Sequence, residues 1–320
     1  MTELYLSKQD QIRAGALDWD AGLADIHDAL SLLRVGEAEM AAENVLPLGP
    51  DPRDKGYGLP ARVGGRFAAA GLKWTLHRAE APAGGEAITS RTFIDDTTTG
   101  RPLGLIDSAM LTRVRTAALS GAITRALYPG LTRLTILGAG PQARMHLDMA
   151  LALFPDLQEV HHWTRSGRAL AESLPGRVTL CRYNDPRSAC LAAEVAFTCT
   201  SAPEPLLGPE VMRPGALILQ VGYHEVSFDA IDCADAVTCD LWGDFSRTSA
   251  KSLFQMHRAG RFPETRVAAD ASAILLDGWR PAPEASVFFS SFGLNIFDIA
   301  FAARLMRNAA MLGLGEPLSA

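Results

Sequence analysis

The sequence predicts an α/β protein: a parallel-sheet domain joined to a smaller α+β domain. From residue 131 onward, short apolar runs alternate with helical stretches. That pattern belongs to strands buried on both faces of a parallel sheet. Residues 57–115 instead carry strand-length runs separated by turn residues, as an antiparallel sheet does. A long apolar helix, about 296 to 314, closes the chain.

Residues 16–44 read as helical, because Leu17, Ile26, Leu30, Leu32 and Leu33 recur at near-helical spacing without proline. Pro47, Gly49, Pro50 and Pro52 then break the pattern. Strands are expected at 72–76, 87–95 and 103–106, with Asp95-Asp96-Thr97-Thr98-Thr99-Gly100 as a turn. A helix from 108 to 127 follows and stops at Tyr128-Pro129-Gly130. The strand 134–137 precedes Gly138 and a helix to 154, and the strand 159–163 precedes a helix to about 174. Further strands are expected at 178–181, 195–198, 216–221 and 236–239.

At 320 residues and 48% hydrophobic content the chain has enough apolar material for about two domains. Thirty Lys and Arg against 36 Asp and Glu give a net charge of −6, with no basic block, which argues against nucleic acid as a partner. No apolar run nears the roughly 20 residues of a membrane helix, so no membrane partner is expected. The polar, charged start lacks the apolar core of a signal peptide. Cysteines 181, 190, 199, 233 and 239 form no CxxC pair and read as thiols in a reducing compartment, the cytoplasm.

Leu134 to Leu137, then Gly138-Ala139-Gly140-Pro141-Gln142-Ala143, reads as strand, GxGxxA turn and helix start. Gly138 permits the tight turn, Gly140 lets a pyrophosphate approach the backbone, and Ala143 lets helix and strand pack closely. The helix start adds N–H groups and a positive dipole end. Together these read as a Rossmann-type dinucleotide site, with an ordinary glycine-rich turn as the bland alternative. The next strand tip, Trp163-Thr164-Arg165-Ser166, carries no acid for a ribose 2′-hydroxyl. Arg165, with the hydroxyls of Thr164 and Ser166, suits a 2′-phosphate, so NADP is preferred over NAD. His161 and His162 read as packing or adenine-edge residues. Adjacent strand residues face opposite ways, so the pair shares no metal and none is expected.

Lys73 lies among apolar residues of a strand, and Arg115 lies on the helix that enters the second domain. Each is either a structural ion-pair partner or a ligand-binding cation.

The run from Tyr57 to Arg165 resembles the ornithine cyclodeaminase/mu-crystallin family. The matching pieces are Leu59-Pro60-Ala61, Gly71-Leu72-Lys73, Asp96-Thr97-Thr98-Thr99-Gly100-Arg101-Pro102-Leu103, Arg115-Thr116-Ala117-Ala118 with Ser120, and the glycine loop. Further matches are Thr198-Cys199-Thr200-Ser201, Pro214-Gly215-Ala216, Gln220-Val221-Gly222, and Phe292-Gly293 with Asp298. The stretch from Pro60 to Trp74 is most similar to an opine-type branch that oxidises N-(2-amino-2-carboxyethyl)-L-glutamate. The resemblance implies a homodimer in which 1–116 plus 293–320 bind substrate and dimerise, and 117–292 form the Rossmann domain. It implies substrate in a cleft against the nicotinamide, with Arg115 on the substrate carboxylate and Lys73 on the carboxylate or the reacting nitrogen. Thr116, Thr200 and Val221 join the cofactor-binding positions on the same ground.

Family members that cyclise ornithine carry an acid just before Leu-Pro and another soon after Val-Gly. The matching positions here are Tyr57 and His224. His224 reads either as a replacement proton-transfer group or as a loop histidine, and Tyr57 either as a hydrogen-bond donor to substrate or as a packing aromatic. A second carboxylate-gripping arginine has only a displaced substitute, Arg53. Asp107 and Asp298 are helix-terminus or cleft candidates. The expected activity is NAD(P)-dependent oxidoreduction at an amino-acid C–N bond. The alternatives are an ornithine cyclodeaminase-type ammonia lyase using NAD catalytically, and an NADPH-binding protein without turnover.

Overall fold

A computed structural model describes residues 3–51, 53–80 and 83–318. Pro52, one of the expected breakers, lies outside them. The chain divides into two compact units, one running to Arg115 and resuming at Leu294, the other being Thr116–Gly293.

In the first unit the strands are β1 (Leu4–Leu6), β2 (Ala38–Met40), β3 (Asn44–Pro47), β4 (Lys55–Val63), β5 (Ala69–His77), β6 (Ile88–Asp96) and β7 (Pro102–Asp107). They form one sheet with a terminal strand Glu316–Pro317, in the order terminal strand, β1, β7, β6, β5, β4, β2, with β3 also on β4. The meander β4 to β7 is antiparallel, as turn-punctuated strands dictate. Helices α1 (Lys8–Arg13), α2 (Trp19–Arg34) and the last helix, Asn295–Leu312, belong to this unit. Asp18 starts α2 by accepting the Ala21 N–H at 3.0 Å.

The helix expected to run to residue 44 ends ten residues sooner, at Arg34. Gly36 takes a left-handed φ of +75°, Gly36 N–H bonds the Leu33 carbonyl, and Glu37 N–H bonds the Leu32 carbonyl at 2.8 Å. That is a Schellman stop, which a single glycine makes without any proline. Residues beyond it become β2 and β3.

The second unit holds β8 (Arg133–Leu137), β9 (Glu159–Trp163), β10 (Thr179–Arg182), β11 (Val195–Thr198), β12 (Leu217–Gln220), β13 (Ala236–Cys239), β14 (Val267–Asp270) and β15 (Val287–Ser290). Their order is β10-β9-β8-β11-β12-β15-β13-β14, with every pair parallel. Helix α3 (Ser108–Leu127) crosses the unit boundary, and α4 (Pro141–Leu153) follows β8. The inner strands β11, β12, β13 and β15 are buried at every residue, which explains their unbroken apolar runs.

No helix forms over 164–174, contrary to the sequence expectation. Gly167 turns back onto the Thr164 carbonyl with φ +67°, and the Ser166 hydroxyl accepts the Arg168 N–H. Local side-chain and turn bonds there take backbone groups that a helix would need. Among the described residues, no helix is long and apolar enough to cross a membrane.

Candidate active site

In the first unit, β5 places Lys73 on the sheet face opposite Leu72 and Trp74, by strand alternation. Lys73 Nζ donates to Asp298 Oδ2 at 2.7 Å, and Arg115 Nε donates to Asp298 Oδ1 at 3.1 Å. The three side chains are 5%, 7% and 1% exposed. Lys73 and Arg115 are therefore both ion-pair partners, of the same carboxylate. Two cations share one hydrogen-bonded anion with almost no water to screen them, and the Glu43 carboxylate adds a further opposing charge at Lys73. Burial pushes the Lys73 pKa down and Arg115 adds to the shift, while Asp298 opposes it. Burial opposes ionisation of Asp298, but Arg115 and Lys73 hold its pKa below the usual carboxylate value.

Strand register extends this polar face. Lys73 pairs with Leu59 and Thr92, while Thr75 pairs with Tyr57 and Ser90. The Thr75 and Ser90 hydroxyls bond at 2.8 Å, and Thr92 bonds Ser108. Tyr57 thus shares the face of Lys73, and its ring packs 4.8 Å from that of His77. Arg53 does not join the cluster. It is exposed and forks onto Asp51 at 2.7 and 3.1 Å. Asp107 takes the Ala109 N–H at the start of α3 and stands 3.9 Å from Arg91.

In the second unit the glycine turn has the geometry its sequence implies. Gly138 has φ +104°, and a Cβ there would lie 2.3 Å from the Cys199 carbonyl oxygen. The Gly138 N–H donates to the Trp163 carbonyl at 2.8 Å, and His162 Nε2 lies 3.0 Å from the Gly138 carbonyl. Gly140 caps α4 without a side-chain bond, and a Cβ built on it meets nothing within 4 Å. Ala143 is fully buried against the sheet. The turn is thereby held rigid while open space remains over Gly140, where a diphosphate would approach.

At the tips of β9 and β10 lies a cavity of about 440 Å³, lined by Thr164, Arg165, Arg168 and Arg182 with His162, Trp163, Tyr183 and Asn184. No acid lines it. Arg168 and Arg182 were not anticipated. Arg182 reaches the cavity from the neighbouring strand, which only the β9–β10 pairing reveals.

At the carboxyl ends of the inner strands, His224 is half-buried, with its ring centroid 6.2 Å from that of Tyr223. The buried acid is its neighbour Glu225, missed in the sequence because the expected position held histidine. Glu225 Oε1 accepts the Thr200 N–H at 3.1 Å and the Thr200 hydroxyl at 2.9 Å. Burial raises its pKa, with Lys251 opposing. Lys251 Nζ donates to the carbonyls of Val221 and Gly222, both at 2.5 Å, fixing the turn after β12. Thr198 Oγ1, Gln220 Oε1 and Ser290 Oγ, paired in one register row, are buried without a protein hydrogen-bond partner. Ligands of open parallel sheets bind outside these carboxyl ends. The open space at Gly140, the arginine-lined cavity and these orphaned polar atoms all fit a dinucleotide.

A parallel sheet in this strand order, with a glycine turn and helix start after β8, defines a dinucleotide-binding α/β protein. Residues 20–239 match the ornithine cyclodeaminase/mu-crystallin family. This chain belongs to that family. It is 24% identical to N-((2S)-2-amino-2-carboxyethyl)-L-glutamate dehydrogenase of Staphylococcus aureus, over 99% of this chain and 98% of that protein. It is 32% identical to the NAD(P)H-dependent anabolic L-arginine dehydrogenase of Pseudomonas aeruginosa, over 70% and 73% of the two chains. The structure of Thermococcus litoralis Delta(1)-pyrroline-2-carboxylate reductase, in complex with NADH and L-proline, superposes with a TM-score of 0.87 at 19% identity. That match covers 98% of this chain and 100% of that one.

Proposed function

We propose that this protein is an NAD(P)-dependent oxidoreductase acting at the C–N bond of an amino acid. It reduces an imine, either cyclic or formed from a 2-oxo acid and an amine, or oxidises an N-substituted amino acid in reverse. The carrying observation is the buried pair of cations on a single carboxylate. Lys73 and Arg115 share Asp298 as their hydrogen-bonded carboxylate, Glu43 is a further acid acting on Lys73, and a substrate carboxylate takes the N–H donors that Arg115 does not spend on Asp298. The named activities of the L-arginine dehydrogenase and N-((2S)-2-amino-2-carboxyethyl)-L-glutamate dehydrogenase relatives support the same reaction class.

In this reading Arg115 holds the substrate carboxylate with the N–H donors that remain beyond its Nε. Asp298 is a positioning residue that keeps both cations aimed. Lys73, made more acidic by burial and by Arg115, hands a proton to the nitrogen as the imine carbon receives hydride. The C=N double bond becomes a C–N single bond, with one hydrogen gained at each atom. The nicotinamide supplies the hydride when bound. Gly138, Ala139, Gly140, Pro141, Gln142 and Ala143 cradle its diphosphate, with Thr116, Thr200 and Val221 as further cofactor contacts. Thr164, Arg165 and Ser166, reinforced by Arg168 and Arg182, hold a 2′-phosphate, which makes NADP the preferred form. Tyr57 and His224 stand at the sequence positions of the two acids of ornithine-cyclising relatives, and their replacement there disfavours the lyase.

Residues 1–116 with 293–320 are the substrate-binding and dimerisation domain, and 117–292 the dinucleotide domain. The homodimer uses the sheet face opposite Lys73. There Leu72 and Phe93 are register partners, 42% and 39% exposed, an unusual pairing of large apolar groups for a solvated sheet face. Five unpaired thiols, with Cys233 exposed, fit a reducing cytoplasm. The testing experiment is an NADPH-oxidation screen with cyclic imino acids and with 2-oxo acids plus amines. Ammonia release without net cofactor change would instead identify a cyclodeaminase. Tight NADPH binding with no turnover of any imine or amino acid would identify a binding protein.

A further inference from the structure

A second constellation lies on the outer strands of the parallel sheet. Glu159 and His161 are two residues apart on β9 and therefore share a face, and Cys181 on β10 is the register partner of His161. One donor atom from each lies within 4.8 Å of the other two. The adjacent histidine, His162, points to the other face and takes no part, which is why the sequence alone suggested no metal ligands here.

His161 is the informative member. It is 4% exposed, and its Nδ1 lies 3.1 Å from the Tyr183 hydroxyl. Its other nitrogen, Nε2, is buried, 3.1 Å from Glu159 Oε2, yet meets no hydrogen-bond geometry with any group. A buried imidazole nitrogen held by an off-angle carboxylate contact stays poorly satisfied unless something fills its lone pair. A phenol on the far nitrogen is the outer-sphere arrangement that orients a metal-bound histidine.

We propose that Glu159, His161 and Cys181 form a binding site for one thiophilic divalent cation of the zinc class. The donor set is one carboxylate oxygen, one imidazole nitrogen and one sulfur, which suits zinc and excludes the hard cations calcium and magnesium. Three protein ligands leave the fourth tetrahedral position to water. Cys181 is half-buried and the Glu159 side chain is 44% exposed, so the site opens to solvent on that side. On binding, the Cys181 thiol releases its proton to solvent, and thiolate and carboxylate together balance the two positive charges of the ion. Arg133 is the nearby opposing charge, and it is engaged by Glu194. Tyr183, which orients His161 here, also lines the arginine cavity at the β9 and β10 tips, whereas Glu159 and Cys181 are among none of the groups assigned above to substrate or cofactor.

The test is zinc titration of the full-length, metal-stripped protein against a chromophoric chelator, with cobalt substitution as the spectroscopic arm. The expected result is one tightly held zinc ion per chain, and a cobalt spectrum with a thiolate charge-transfer band. Cys181→Ser should abolish that band and weaken zinc binding roughly tenfold or more. Glu159→Gln, at an exposed position where folding is safe, should weaken it in the same direction. Cys233→Ser, a change of an exposed thiol elsewhere, should leave it intact. Zinc affinity equal in wild type, Cys181→Ser and Glu159→Gln, or a cobalt spectrum without a Cys181-dependent band, overturns the proposal.

Discussion

At the scale of single residues, Asp298 holds the buried cations Lys73 and Arg115 together. Asp298→Ala leaves two buried cations facing each other without their hydrogen-bonded carboxylate. Breaking a buried pair this way costs about 3–5 kcal/mol, which a urea unfolding curve reads directly. An unchanged midpoint would mean the cluster is solvated. Arg115→Ala should raise KM for a carboxylate substrate by about tenfold to a hundredfold, the worth of charged hydrogen bonds; unchanged KM removes Arg115 from the site. His146 supplies a pH test. It is fully buried, bonded to the Ser120 hydroxyl at 2.9 Å, and burial lowers its pKa from 6.5 to about 4. Between those values the unfolded chain binds a proton that the folded chain refuses. Stability is therefore full above the unfolded value and falls as pH drops toward the folded one, by roughly 2 kcal/mol between about pH 7 and about pH 5. His146→Gln should flatten that dependence in paired denaturation curves. Lys73 and Arg115 were legible in the sequence because charges in apolar runs demand a partner. Asp298 stood out as a helix-terminus or cleft candidate, but its pairing with them was not legible, since it lies 225 and 183 residues away. Glu225 was hidden by its offset from the expected acid position.

At the scale of elements, the two glycines of the β8–α4 turn separate folding from binding. Gly138→Ala forces a side chain into a left-handed backbone and against the Cys199 carbonyl. It should cost about 1–3 kcal/mol, seen as a lower thermal midpoint. Gly140→Val adds side-chain bulk in open space at ordinary φ. It should change stability by roughly 1 kcal/mol yet weaken NADPH in a fluorescence titration. Equal NADPH affinity in Gly140→Val and wild type would place the diphosphate elsewhere. Arg165→Asp should move kcat/KM from NADP toward NAD. The parallel strands were legible because burial on both faces leaves unbroken apolar runs. Two helix ends were not. The stop at Gly36 is made by backbone geometry rather than by a breaker residue, and the segment after β9 spends its polar side chains on turns. That irregular segment leaves Arg165 and Arg168 lining the cavity.

At the scale of the whole molecule, the exposed Leu72–Phe93 patch predicts that Phe93→Asp converts a dimer to monomers in sedimentation experiments, and a wild-type monomer would remove the proposed interface. The fold class and the dinucleotide turn after β8 were readable in the sequence, because apolar runs and glycine spacing are local features. The chain's membership in its family rests on an extended match over residues 20–239. Steady-state NADPH oxidation should be followed with a cyclic imino acid, and then with the same imine bearing an esterified carboxylate, in wild type and Arg115→Ala. The account predicts turnover of the free acid by wild type, little turnover of the ester, and loss of the difference between the two in Arg115→Ala. Equal turnover of acid and ester by wild type, or no oxidation of NADPH with any imine, contradicts it.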